Sequence, residues 1–421
     1  MSISRPKGTN DFLPEDTAKW QYIENILRDL AASYGYEEIR TPIFEATELF
    51  LRGVGDTTDI VNKEMYTFDD KGKRSITLRP EGTAATARAY IEHKMHGLAQ
   101  PVKLWYIGPM FRYERPQKGR FRQFHQFGLE AFGSQDPALD SEIISFAMAF
   151  YQKLGLTGLS VRLNSVGCAH CREEHKEKLQ EFLRPVLNDL CSDCQTRFEK
   201  NPLRIFDCKN EKCNELIAKA PRILDCLCDD CKDHFEKVKT LLTAGNIPYH
   251  IDPCLVRGLD YYTKTAFEIL LEDIGAQSAI CGGGRYDGLI KDIGGNDNFG
   301  VGFALGLERV FGALAAQNIE IPTVPKCDVF LVSMGDKAKT ALFPIAVSLR
   351  GMGIKTEIDF GGKSLKSQLK TADRLKAKIA IIMGEDELLR GEAILRDMAD
   401  GEQSPIKAAD ILDEVIRRIK Q

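Results

Sequence analysis

Residues 102–132 read VKLWYIGPMFRYERPQKGRFRQFHQFGLEAF, and the alternation in this stretch limits the fold more than any other feature of the chain. Two strands, 102–112 and 121–132, account for it, joined by a turn at YERPQKGR where Pro116 and Gly119 suit a reversal. Period-two geometry sets Met110 and Arg112 on one face of the first strand. On the second, Arg122, Phe124, Gln126 and Glu130 share one face, while Phe121, Gln123, His125 and Phe127 share the other. Residues 111–127 carry five cationic side chains against one carboxylate, with four phenylalanines among them. The face therefore offers a guanidinium, an aromatic plane, an amide and a carboxylate, which suits a nucleotide beside a small polar ligand. A solvated basic hairpin with its aromatics in the core fits the same pattern. His125 faces away from that set and is assigned to support.

The rest of the chain bounds this reading. At 421 residues with 43% hydrophobic content, two or three domains with a sizeable core are expected. The net charge of −4 means that a polyanion must be met by local patches. The N-terminal sequence MSISRPKGTNDFLPEDTAKW has no apolar signal region, and no 18 apolar residues run together, so a cytoplasmic protein is expected.

Nine of the twelve cysteines lie between Cys168 and Cys231, leaving Cys254, Cys281 and Cys327 elsewhere. In a reducing compartment such clustering favours metal ligation over disulfides. Cys168/Cys171 and Cys191/Cys194 are CxxC hooks, four residues separate Cys208 from Cys213, and CLCDDC supplies Cys226, Cys228 and Cys231. The preferred assignment is one structural Zn2+ on Cys168, Cys171, Cys191 and Cys194 and another on Cys208, Cys213, Cys228 and Cys231, with Cys226 spare and crossed pairings open. Reduced, partly buried thiols are the plainer alternative.

A helical pattern at about 17–35 ends at Gly35, and Pro42 breaks any helix in TPIFEATELF. Residues 255–312 alternate short strands with glycine loops. Beyond Pro325, CDVFLVSM, IKTEIDF and KIAIIMG read as buried parallel strands separated by helices at about 336–350 and 363–375. Lys363, Lys366, Lys370 and Arg374 form a basic stripe on the second of these helices, suited to phosphate contact or to plain solvation.

FRYERPQKGRFRQFHQFGLEAFG resembles the second signature motif of class II aminoacyl-tRNA synthetases, GVGFALGLERV at 300–310 resembles the third, and TPIFE around Pro42 fits the first. LVRGLDYYT at 255–263, CGGGRYDGL at 281–289 and RPEGT at 79–83 resemble signatures of the histidyl-tRNA synthetases. The match runs nearly end to end. It implies an α+β catalytic domain with an antiparallel sheet, a cysteine-rich and mostly helical insertion, and a C-terminal α/β anticodon-binding domain. The expected boundaries are 1–165 and 241–325 for the two parts of the core, 166–240 for the insertion and 326–421 for the last domain. The implied reaction joins L-histidine to ATP, taken with Mg2+, as histidyl-adenylate, and then to the 3′ end of tRNA(His). A homodimer is implied through the first motif.

The resemblance also implies residue roles. Arg112 and Arg257 hold the α-phosphate and are the catalytic pair. Glu114, Arg120, Phe124, Gly306 and Arg309 serve ATP, with Phe124 and Arg309 sandwiching adenine. Glu81, Gly82, Thr83 and Gln126 take the ammonium or carboxylate of histidine. Glu130 and Tyr262 read the imidazole, Tyr261 is adjacent, and Gly283 and Gly284 admit backbone beside Tyr286. Arg115, Gln117 and Lys118 meet the tRNA acceptor end, and the Lys363 stripe meets the anticodon side. Two rivals share the core: a catalytically silent paralogue that acts as a regulatory subunit of ATP phosphoribosyltransferase, and a synthetase-like sensor domain. The first characteristically lacks the C-terminal domain and an intact LVRGLDYYT; the second need not keep Arg112, Glu130, Arg257 and Arg309 together.

Overall fold

The computed structural model describes residues 3–55, 58–116, 119–271, 279–322 and 325–419, which divide into two compact units, 1–321 and 322–421. The first is built on an eight-stranded sheet. Its strands run in the order Glu37–Glu38, Val102–Phe111, Gln123–Phe132, Gly300–Gly306, Ala279–Arg285, Thr263–Leu271, Leu159–Ser165 and Tyr249–Ile251. The six central strands pair antiparallel, and a short parallel strand closes each edge, so the sheet is mixed.

Alternation sorts the two faces. Phe127, Leu129, Ala131, Val301, Phe303 and Leu305 are buried in one apolar cluster with Ile23 and Leu27 of helix Pro14–Ser33 and Ile143, Phe146 and Phe150 of helix Pro137–Lys153. Pro and two acidic residues in the first turn suit the start of the 14–33 helix, and Gly35 at φ +74° ends it. Downstream of Pro42 the chain forms a strand at Phe44–Ala46 and then a helix at Thr47–Val54, so the proline delays the helix and does not forbid it. The other sheet face carries the polar residues and is partly covered by helix Thr83–Glu92.

The cysteine-rich stretch is helical, chiefly Ala169–Leu183, Ser192–Lys200, Glu211–Ile217 and Asp229–Ala244. The last of these helices returns to the core, where His234 and Arg285 both meet Asp140. His234 Nε2 lies 3.2 Å from Asp140 Oδ1, Arg285 Nε lies 3.2 Å from both carboxylate oxygens, and Arg285 Nη2 makes a shorter contact with Oδ2. Asp140 and Arg285 are fully buried.

The C-terminal unit has strands in the order Thr356–Ile358, Val329–Ser333, Ile379–Met383, Glu392–Asp397 and Gln403–Lys407. The first three are parallel, as the apolar runs predict, with helices Asp336–Gly351 and Leu365–Arg374 between them. The last two strands are antiparallel and were not expected. The second of them lies at the sheet edge, a place that Pro405 suits. Lys363 corrects the basic stripe: it precedes the N-cap Ser364, so only Lys366, Lys370 and Arg374 follow one face of the helix, all exposed.

Asp140→Ala strands the Arg285 guanidinium in the core. The expected loss is about 3–5 kcal/mol in urea unfolding, far more than for removal of an exposed pair such as Arg74–Asp70.

Candidate active site

A cavity of about 390 Å³ opens on the polar face of the sheet. The central hairpin supplies Phe124 and Gln126, the 79–83 turn supplies Glu81 and Thr83, and the segment before the 263–271 strand supplies Arg257, Tyr261 and Tyr262. Glu114, Arg120, Tyr286, Gly306 and Arg309 also line it.

Arg112 is fixed by Nε donating to Pro80 O at 2.9 Å, and its guanidinium lies 5.3 Å from the centroid of Phe124. Arg257 pairs closely with Glu268 and lies 5.7 Å from the Tyr262 centroid. Burial works against the charge of Arg257, but the Glu268 carboxylate outweighs it and keeps the group protonated. Gln126 Oε1 and Arg257 Nε are buried without a hydrogen-bond partner among the described residues. Both residues line the cavity, so a bound molecule is one source of the missing partner.

Glu81 accepts from Thr83 N at 2.7 Å and Ala84 N at 2.8 Å, capping the 83–92 helix. Burial raises its pKa, and those two amides oppose the rise.

Glu130 sits behind the cavity wall and does not line the open space. Its carboxylate accepts from Thr83 Oγ1 at 2.7 Å, Tyr106 Oη at 3.2 Å and, in a shorter contact, Tyr286 Oη. Gly302 closes the back of the cage, since a Cβ there would stand 2.0 Å from Glu130 Oε2. Complete burial pushes the Glu130 pKa up to about 8 against the pull of the hydroxyl donors, with Glu81 adding to the rise.

Gly82, Gly283 and Gly284 do not line the cavity. A Cβ at Gly82 would meet the Tyr106 ring at 2.2 Å, at Gly283 the Gly302 carbonyl at 2.3 Å, and at Gly284 the Thr265 carbonyl at 2.3 Å. These glycines let protein pack on protein. Of the 282–284 glycines Gly282 lines the cavity, and a Cβ there would meet Arg257 Nη2 at 2.2 Å. His125 occupies the opposite face, bonded to Glu308 at 3.1 Å and enclosed by Phe12 and Trp20, in keeping with a supporting role.

Arg115 is exposed and outside the cavity, and Gln117 and Lys118 lie outside the described residues. Tyr106, Glu268 and Asp207 were missed. Tyr106 stands opposite Gly128 on the face of Met110, so the alternation contained it. Asp207, in the insertion, reaches the cavity only through tertiary folding.

The eight named cysteines form two four-thiol groups, each with ligand atoms within 4.8 Å of one another, but the pairing is nested and corrects the preferred one. Cys168 and Cys171 join Cys228 and Cys231, while Cys191 and Cys194 join Cys208 and Cys213. The outer hooks meet because the 159–165 strand and the 229–244 helix both pack on the core; the inner four share a satellite apolar cluster with Leu179 and Phe198. Backbone amides point at sulfur in both: Cys228 N to Cys171 Sγ at 3.1 Å and Cys191 N to Cys213 Sγ at 3.2 Å. Cys226 stays outside, near Lys178.

The polar face thus offers two guanidinium groups for an anion beside a buried carboxylate caged by hydroxyls. Residues 8–310 match the family model described as histidyl-tRNA synthetase, and residues 328–418 match that of an anticodon binding domain. The histidine–tRNA ligase of Desulfitobacterium hafniense (strain DSM 10664 / DCB-2) is 58% identical over 421 residues, covering 100% of this chain and 99% of that protein. The ligase of Geobacillus thermodenitrificans is 52% identical over 424 residues, with 100% of both covered. The apo histidyl-tRNA synthetase structure of S. aureus superposes with a TM-score of 0.85 at 44% identity, covering 98% of this chain and 100% of that one.

The carboxylate of Glu130 supplies a stability test. Between its ordinary value of 4.5 and about 8 the folded protein keeps a proton that the unfolded chain has lost. This contribution to stability is fully present below pH 4.5 and is lost as the pH rises through about 8. Denaturant unfolding is expected to show wild type losing stability relative to Glu130→Gln between about pH 5 and pH 8; a difference independent of pH overturns the assignment.

Proposed function

The chain belongs to the histidyl-tRNA synthetase family and is a histidine–tRNA ligase with a C-terminal anticodon-binding domain, and from this we propose how its residues divide the work. Histidine lies with its imidazole toward Tyr262 and the Glu130 cage, and its ammonium and carboxylate toward Glu81, Thr83 and Gln126. ATP, bound with Mg2+, lies with adenine between Phe124 and Arg309 and its α-phosphate between Arg112 and Arg257. Glu114, Arg120 and Gly306 complete that subsite. The histidine carboxylate oxygen attacks the α-phosphorus and pyrophosphate leaves. A terminal ribose hydroxyl of tRNA(His) then attacks the acyl carbon, and AMP leaves.

What carries this division is the meeting of two fixed guanidinium groups, Arg112 and Arg257, in the cavity that also holds the unpartnered Gln126 amide oxygen. Both guanidinium groups are held before substrate arrives, so they meet the growing negative charge without reorganising. Gly283 and Gly284 act by packing the Tyr262 and Tyr286 surroundings. Arg115, Gln117 and Lys118 meet the acceptor end of tRNA; Lys363, Lys366, Lys370 and Arg374 contact its anticodon arm. We place the enzyme in the cytoplasm; no described helix is long and apolar enough to cross a membrane.

Two further elements belong to this reading. Each nested thiol group fits a tetrahedral Zn2+, which would cross-link the insertion. Ile43 and Phe44 of the first motif, and Phe68 of strand Tyr66–Asp69 in the same small sheet, are about half exposed, which supports burial of this face in a homodimer.

Histidine-dependent ATP–pyrophosphate exchange tests the whole. Arg257→Ala is expected to slow it about a hundredfold with the histidine KM little changed; unchanged turnover with only a raised KM removes the assigned role. Elemental analysis of protein purified without chelator is expected to give two zinc per chain, and less than about a tenth of an equivalent would rule zinc out. Equilibrium sedimentation at micromolar protein checks the dimer.

A further inference from the structure

The outer thiol group is bonded to the segment that presents Tyr262. Arg172, the residue after Cys171, donates from Nη1 to the Tyr262 carbonyl at 3.2 Å. Across the group, Asp230, the residue before Cys231, pairs with Lys264 Nζ at 2.8 Å. Lys264 N also donates to Gly167 O at 2.9 Å, and Val166 N donates to Lys264 O at 2.7 Å. Four links, two from the hooks and two from the backbone just before Cys168, thus converge on residues 262–264.

The held segment is not relaxed. Lys264 has φ +47°, a left-handed conformation that a side chain-bearing residue adopts only when its surroundings hold it there. Gly167 opposite it has φ +63°, and a Cβ at that position would stand 2.6 Å from Cys171 Cβ. The hook and the left-handed turn therefore pack closely on one another. The Tyr262 ring, set by this backbone, lines the cavity below Arg257.

We propose that Arg172 and Asp230 are positioning residues that couple closure of the outer cysteine group to histidine affinity, by holding residues 262–264 in the one conformation that presents Tyr262 to the imidazole. The inference rests on the placement of histidine beside Tyr262 proposed above. ATP reaches this segment only through Arg257, which Glu268 also holds, so its affinity is coupled far more weakly.

Calorimetric titration of histidine and, separately, of ATP into the full-length protein tests the coupling, with zinc measured on each sample. Arg172→Ala is expected to keep its metal, weaken histidine about tenfold and leave ATP within about twofold. Arg172→Lys, which still offers a donor to the carbonyl, is expected to recover most of the loss. Asp230→Ala removes an exposed partner and is expected to weaken histidine about twofold. Cys228→Ser, losing one metal, is expected to match Arg172→Ala. Unchanged histidine affinity in Arg172→Ala overturns the proposal. So does equal weakening of histidine and ATP, which marks general loosening, and so does a lysine variant no better than alanine. Tyr262→Phe in the same titration separates the premise: unaltered histidine affinity there refutes the placement of histidine and leaves the grip on the backbone as a structural fact.

Discussion

Arg285 is buried completely, and a guanidinium at that depth persists only if its charge is answered. Asp140 answers it from the 137–153 helix, and the carbonyl of Ser134 and the carboxylate of Asp287 take further donors. Burial would raise the Asp140 pKa, but Arg285 and His234 outweigh it and hold the carboxyl well below the ordinary range. His234 comes from the last helix of the insertion, so one ion-pair network fastens core helix, sheet and insertion together. Breaking it frees three elements at once. Residue 286, next along the chain from Arg285, is the tyrosine that bonds Glu130, so the rigid centre and the ligand pocket are adjacent in the backbone.

Asp140 and Glu130, both fully buried carboxylates, are treated in opposite ways. Asp140 has a cation within bonding distance and stays charged; Glu130 has only hydroxyls and is driven toward the neutral form. Hydroxyls can donate or accept, so the Glu130 cage adjusts to a change of protonation where a guanidinium could not. That difference suits Asp140 to architecture and leaves Glu130 able to change its protonation state behind the cavity wall.

Much of this was legible in the chain. The alternation in 102–132 put Phe124 and Gln126 on the cavity face and His125 on the other, because a pleated strand leaves little choice once the apolar positions are known. The same alternation contained Tyr106, which escaped notice because a tyrosine in a strand ordinarily signals packing. The cysteine pairing was not legible. Sequence proximity favours adjacent hooks, whereas the observed nesting is dictated by where the 159–165 strand and the 229–244 helix meet in space. Gly283 and Gly284 were read as making room for ligand, but glycine reports only that something comes close, and here it is the neighbouring strands. Glu392–Asp397 and Gln403–Lys407 lack the apolar runs that marked the other C-terminal strands.

The packing of Trp20 has an optical consequence. The chain has two tryptophans. Trp105 is buried, stacked on Phe127 at 5.8 Å beneath the Arg28 guanidinium, and is remote from changes in solvent. Trp20 is half-buried, 4.9 Å from His125 and 5.0 Å from Phe311, so its ring touches the residue next to Phe124 and packs on the helix that carries Arg309. The indole therefore samples the dielectric beside the end of the cavity lined by Phe124 and Arg309 while Trp105 supplies a constant background, so the protein's own emission spectrum reports changes there without an added dye.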